Sequence, residues 1–345
     1  REKNLKLFLQ SGLPNKKDEN WKFTDLNFII NKNFKNITNN FDFVFGEKIE
    51  LIEDLEHNYI ILVNGSLKSS DFKFEEKEKI KLESLNSYNE TNYHPNNLYI
   101  LNKALSSGGF SLEILENYKC KKPIIIYNYF TSNLDNKIIN NSNKIKMNQN
   151  SNLTLIEYNI GSKNKFIKNT FEKVTLGKDA TLKNIIVQKL KTNGFFYKNI
   201  HGSQGYNSNY QNFILTSGLK FNKVDICMDL EKENSNCFIL SGLCLGDGEH
   251  QEIKTRINHL APNCKSYQKI KNVLESESNG VYQGKIFVKD IAQKTDAYQL
   301  SKALILDDKS EFNAKPELEI YADDVKCSHG STSGSIDKDA IHYLM

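Results

Sequence analysis

No apolar run in this 345-residue chain approaches the roughly 18 to 20 residues that a membrane-spanning helix needs. The longest, 59–63 and 123–126, have strand length. Six cysteines (Cys120, Cys227, Cys237, Cys244, Cys264 and Cys327) show no C-x-x-C or zinc-ribbon spacing. In a chain of this length they read as reduced thiols of a reducing compartment. No secretory leader is visible, and the chain opens at Arg1. Neither sign of charge dominates: 46 basic residues against 42 acidic ones leave a net charge of +4 and no basic stripe for nucleic acid. Phe195-Phe196-Tyr197-Lys198 comes nearest to the aromatic–basic interleaving of single-strand binders, and it reads as core and rim. The sequence also lacks a G-x-x-x-x-G-K-[ST] phosphate loop and a G-x-S-x-G elbow. Gly242, Gly246 and Gly248 have neither the spacing nor the strand-to-helix setting of such a loop. These absences predict a non-catalytic chain with no nucleic-acid partner and no membrane partner.

What is present is enough apolar residue, 39% with 11% aromatic, to fold. Leu5, Phe8, Leu9 and Leu13 recur at helical spacing before Pro14. The single tryptophan, Trp21, is expected to anchor that helix by packing. Short strands are predicted around 59–64, with Asn64-Gly65 as the turn. A helix is predicted over 97–105, ended by Gly108-Gly109. From Phe110 onward helical periodicity nearly vanishes, and strand-length runs recur, among them 153–160, 237–245, 284–288 and 300–306. Their number, the scarcity of hairpin dipeptides, and polar residues at Asn184, Gln188, Gln283, Gln293 and Gln299 favour a solenoid over a sandwich or barrel. The predicted fold is an all-β core, a β-helix of short strands, with a small helical N-terminal region and the start of a C-terminal helix. The divisions expected are 1–108, 109–335 and 336–345. Asp337 would cap the last segment, in which Ile341 and Leu344 begin an apolar stripe. That helix is too short to stand alone, so a C-terminal helical region is expected to be largely missing here.

The densest chemistry lies near the end. In 317–322, Leu318, Ile320 and Ala322 alternate with Glu317, Glu319 and Tyr321. If the extended chain continues unbroken, Cys327 and His329 share one face, opposite the apolar set and facing out. A thiol and an imidazole side by side are soft ligands for iron, zinc or copper. Asp323 is the same-face candidate for orienting the imidazole.

Several stretches resemble a known family: Trp21-Lys22-Phe23-Thr24-Asp25-Leu26, Leu62-Val63-Asn64-Gly65, Leu101-Asn102-Lys103-Ala104, 257–266, 284–288, 292–297 and 315–330. Together they span nearly the whole chain. They are similar to the SufB/SufD family of the SUF iron–sulfur cluster assembly machinery. The Cys-Ser-His-Gly block has the SufD form, and the clustered N-terminal cysteines of many SufB proteins are absent. The resemblance implies a β-helix scaffold that pairs with a SufB-like paralogue and a SufC-like ABC ATPase, the latter through the C-terminal helical region. It also implies that ATP hydrolysis belongs to the ATPase. His329 and Cys327 would contribute to iron or a transient iron–sulfur cluster at the interface with SufB, with no cofactor held permanently by this chain. The compartment implied is the cytoplasm or a plastid-type organelle.

Two other readings stand beside this one. In the first, the chain is a purely structural partner whose sheet edges pair across an interface. In the second, it is a polysaccharide-active β-helix enzyme using Asp247, Asp323 or Asp324. His259 and Cys264, which flank Ala261-Pro262-Asn263, are expected to form a structural turn, and the remaining cysteines to be apolar filler.

Overall fold

The computed structural model describes residues 1–39, 49–85, 96–161, 163–189, 192–335 and 343. Three helices, α1 (Glu2–Ser11), α2 (Leu26–Asn33) and α3 (Asn97–Leu105), lie in the first third. Three short strands, β1 (Asn58–Val63), β2 (Ser66–Asp71) and β3 (Ile80–Ser84), share that region. The stack then builds through β4 (Gly108–Ile114), β5 (Ile124–Phe130), β6 (Ile138–Met147), β7 (Asn152–Gly161) and β8 (Ile167–Leu176). It continues with β9 (Thr181–Gln188), β10 (Thr192–Gln204), β11 (Asn209–Thr216), β12 (Leu219–Leu230) and β13 (Asn236–Leu245). The last strands are β14 (His250–His259), β15 (Lys265–Leu274), β16 (Asn279–Val288), β17 (Thr295–Ile305), β18 (Glu311–Ile320) and β19 (Val325–Ser335).

From β4 onward, even-numbered strands form one parallel sheet and odd-numbered strands the other. The chain winds from sheet to sheet and back, which is a β-helix. The even sheet is nine-stranded and the odd sheet ten-stranded, with the antiparallel β2 and β3 closing their first edges. Asn64-Gly65 turns β1 into β2 with both residues at positive φ, as the dipeptide predicts.

The return turns from the even sheet to the odd sheet, from β6–β7 through β16–β17, each place one residue in the left-handed region. Asn150, Asp179, Asn207, Asn234, Asn263 and Lys294 occupy these positions, with φ between 52° and 61°. Asparagine and aspartate tolerate that conformation better than other side chains do. The amide of each donates to a carbonyl one rung on, as in Asn150 to Lys178 at 2.8 Å and Asn207 to Glu233 at 2.9 Å. This ladder of turns spaces the rungs.

Inward-facing Phe110, Leu112, Ile145, Leu155, Ile226 and Ile253 are buried in one continuous core. Asn184, Gln188, Gln283 and Gln299 are buried within strands as expected, whereas Gln293 sits in a turn. The N-terminal helices cover the outward face of the even sheet. There Trp21, fully buried, packs with Leu26, Ile30, Leu98, Phe195, Tyr197 and Phe221. Phe195, Phe196, Tyr197 and Lys198 are all buried, so the aromatic–basic cluster is core. The predicted helix over 97–105 is present but is not ended by glycine. Ser106 caps it through an N–H bond to the Asn102 carbonyl, and Gly108 and Gly109 open β4. Gly109 has φ 133°, and a Cβ there would collide with the Ser142 carbonyl.

Candidate functional site

β18 and β19 form the last rung, and the turn between them decides where the C-x-H pair points. β18 ends at Ile320, and Ala322 tucks into a small cluster of Ile286, Val288, Ala292 and Ala297. The Lys294 amide donates to the Asp324 carbonyl at 2.6 Å, and the Asp324 amide donates to Gln293 Oε1 at 2.9 Å. The chain then enters the other sheet. In β19, Cys327 lies opposite Ala297, His329 opposite Gln299 and Ser331 opposite Ser301. All three partners are buried and inward-facing. Cys327 and His329 therefore point to the interior side of the solenoid, not away from the apolar set as an unbroken strand would require. They remain accessible because, among the described residues, no rung follows to cover them: Cys327 is half-buried and His329 exposed.

The floor under the pair differs from one residue to the next. Cys327 packs beside Leu318 and Val325 against the Ala297 cluster. Burial pushes its thiol above the ordinary value, so without a cation it stays protonated at neutral pH. A metal ion would deprotonate it on binding. His329 stands over Gln299, whose position is fixed by two bonds. Gln299 Nε2 donates to the Glu317 carbonyl at 3.1 Å, and the Tyr282 hydroxyl lies 3.1 Å from its Oε1. The same hydroxyl lies 3.3 Å from Gln268 Oε1. A Cβ at Gly284 would collide with both Gln299 Oε1 and the Tyr282 hydroxyl, so glycine leaves room for this polar layer.

The two terminal strands present different edges. β18 carries Pro316 and a row of ion pairs: Lys285 to Glu319 at 2.5 Å, Lys315 to Glu317 at 3.1 Å, and Lys315 to Glu19 of the N-terminal segment. Proline and charge blunt an edge strand against pairing. β19 has no proline, and after His329 it consists of exposed or half-exposed small residues from Gly330 to Ser335.

Cys327 and His329 supply two soft donors and no more. Among the described residues, no third histidine, cysteine or carboxylate joins them, and the one such triad is His201, Cys227 and Asp229, on another face. Asp323 stays in the exposed turn and makes no hydrogen bond to His329, because the turn separates them. The remaining expected positions are structural or scattered. His259 is buried, with Nε2 2.9 Å from Ser266 Oγ and its pKa pushed by burial down to about 4, and Asn263 makes the adjacent turn. Cys237 and Cys264 are buried filler and half-buried Cys120 packs against the core, but Cys244 is exposed and Cys227 is half-buried on the outward face, which corrects the filler reading for those two. Asp247 lies in a turn from the odd sheet to the even one, and Asp323 and Asp324 in a return turn, so they occupy opposite edges of the solenoid and cannot act as a pair. The predicted helix over 336–345, with its cap Asp337, falls outside the described residues except for Tyr343. No helix among the described residues is long and apolar enough to cross a membrane.

A family model described as "SUF system FeS cluster assembly, SufBD core domain" matches residues 129–345. The iron–sulfur cluster assembly protein SufD of Escherichia coli is 24% identical over 356 residues, covering 99% of this chain and 82% of that protein. An iron–sulfur cluster assembly SufBD family protein of Synechocystis is 29% identical over 179 residues, which are 52% of this chain and 40% of that protein. SufD of Plasmodium falciparum is 24% identical over 238 residues, 68% of this chain and 16% of that protein. The chain thus spans most of the bacterial SufD but well under half of the other two relatives.

Proposed function

The chain belongs to the SufBD family of the SUF iron–sulfur assembly system, and on that premise we propose that it is a non-catalytic scaffold subunit in the SufD role. Its last rung is completed by a SufB-like paralogue, and His329, with Cys327 secondary, donates to iron or a nascent cluster held between the two. The cluster is cargo, not a resident cofactor. The observation that supports this reading is the two-donor pair on the last described rung, uncovered by any described residue, beside an unblunted edge. A metal or cluster site needs three or four ligands, so the partner supplies the rest. Histidine in place of a thiolate raises the potential of a cluster otherwise held by sulfur. ATP hydrolysis is assigned to a SufC-like ATPase, which this chain would meet through residues beyond the β-helix. The compartment assigned is the cytoplasm or a plastid-type organelle. A chloroplastic Arabidopsis protein, 40% identical over 72 residues, supports the second.

The test is anaerobic iron and acid-labile sulfide content of the complex co-purified with its SufB-like and SufC-like partners, as wild type and as His329→Ala. Assembly of both complexes with iron and sulfide lost only from the variant is expected. Equal loading would leave this subunit as architecture alone.

A further inference from the structure

Away from the terminal rung, three donors of different chemistry converge on the outward face of the even sheet. His201 on β10 lies opposite Cys227 on β12 in the parallel register, and Asp229 follows on the same face. One ligand atom from each lies within 4.8 Å of the others, and all three residues are half-buried. His201 Nε2 stands 3.4 Å from Asp229 Oδ2. That is long for a hydrogen bond, but it is close to the ~3.3 Å edge of a tetrahedron with metal bonds of about 2.0–2.1 Å. The other carboxylate oxygen is already engaged: Asn258 on β14 donates to Asp229 Oδ1 at 2.6 Å, and Arg256 Nε donates to Asn258 Oδ1 at 3.0 Å. This outer layer orients Oδ2 toward the cluster. The three residues line a cavity of about 410 Å³, together with Asp18 and Asn20 of the N-terminal segment and Asn97 of α3.

We propose that His201, Cys227 and Asp229 bind one divalent transition-metal ion, zinc or ferrous iron, with a fourth position open to this cavity. A nitrogen, a sulfur and an oxygen donor suit a borderline-soft ion and not magnesium or calcium. The Cys227 thiol loses its proton to solvent as the metal–sulfur bond forms, and no oxidation state changes. Histidine ligation through Nε2 leaves the ring proton on Nδ1. Lys173 Nζ now sits 3.3 Å from that atom, on a flexible stem, and must swing away.

The test is a cobalt(II) titration of the metal-free chain carrying Cys327→Ser and His329→Ala, so that the terminal rung offers no soft ligand. A thiolate-to-cobalt charge-transfer band that saturates at one equivalent and is displaced by zinc is expected. Adding Cys227→Ser abolishes the band, and adding His201→Gln or Asp229→Asn weakens binding by at least about tenfold. X-ray absorption of the cobalt-loaded background protein reports sulfur together with nitrogen or oxygen neighbours, whether or not the further variants fold. Absence of the band from the background protein, its survival in Cys227→Ser, or a first shell without sulfur overturns the proposal. The terminal rung is disabled throughout, so failure here leaves the scaffold reading untouched, and the reverse holds too.

Discussion

The middle rungs and the last rung share one parallel strand pairing, yet polar side chains do different work in each. On the outward face of β12 and β14, Lys223 and Glu252 are fully buried beneath the N-terminal segment. Lys223 Nζ donates to the Asn20 carbonyl at 3.0 Å, pairs with Glu252 and sits 4.4 Å from the Trp21 ring centre. Glu252 also accepts from Thr24 at 2.7 Å and from Gln283 at 2.7 Å. Burial alone would raise the Glu252 carboxyl, but Lys223 and His250 outweigh it and hold its pKa at about 2. At the last rung, His329 occupies an inward position that would be core one rung earlier, and it is exposed. Where a rung or a cap follows, polar residues are spent on structure. Where none follows among the described residues, His329 stays exposed.

The largest expected effect lies in the covered region. Lys223→Met keeps the stem but leaves the Glu252 carboxylate buried without its cation, and we expect a loss of about 3–5 kcal/mol in denaturant unfolding. Adding Glu252→Gln should recover much of that loss. If Lys223→Met is neutral, the cap is not held by this pair and the contrast between the regions collapses.

A smaller effect separates the regions by pH. His259 has its pKa lowered from 6.5 to about 4 by burial. Between those values the unfolded chain binds a proton that the folded chain does not, so stability falls as pH drops from about 6.5 toward about 4. His259→Gln should flatten that fall, read as unfolding free energy at about pH 7 and about pH 5. An unchanged slope would show that His259 is not buried as described.

The smallest effect sharpens the other side of the comparison. His329→Ala removes an exposed side chain over Gln299 and should shift stability of the isolated chain by no more than about 0.5 kcal/mol. A larger loss, measured in the same unfolding experiment, would make His329 a packing residue.

The strands were legible because apolar alternation is local: Phe110, Leu112 and Ile114 read as β4 without knowledge of their neighbours. The repeat was harder to see because it is carried by backbone conformation. Asn150, Asp179, Asn207, Asn234 and Asn263 mark one turn per rung, but the residue types between them are free to vary. Facing was misread at Cys327 and His329 because the turn at 321–324 contains neither glycine nor proline, so the strand seemed to run on. The adjacency of His201 and Cys227 could not be read at all. It depends on the register of β10 against β12, which is fixed by rung length and not by any local pattern.

The central proposal is that the last described rung is completed by a partner. Its most direct test is hydrogen–deuterium exchange of the Val325–Ser335 amides, in the chain alone and bound to the SufB-like paralogue. The account predicts fast exchange at the open edge of β19 in the free chain and strong protection in the complex, while β10 through β14 stay equally protected in both. Unchanged exchange across Val325–Ser335 on binding would contradict it.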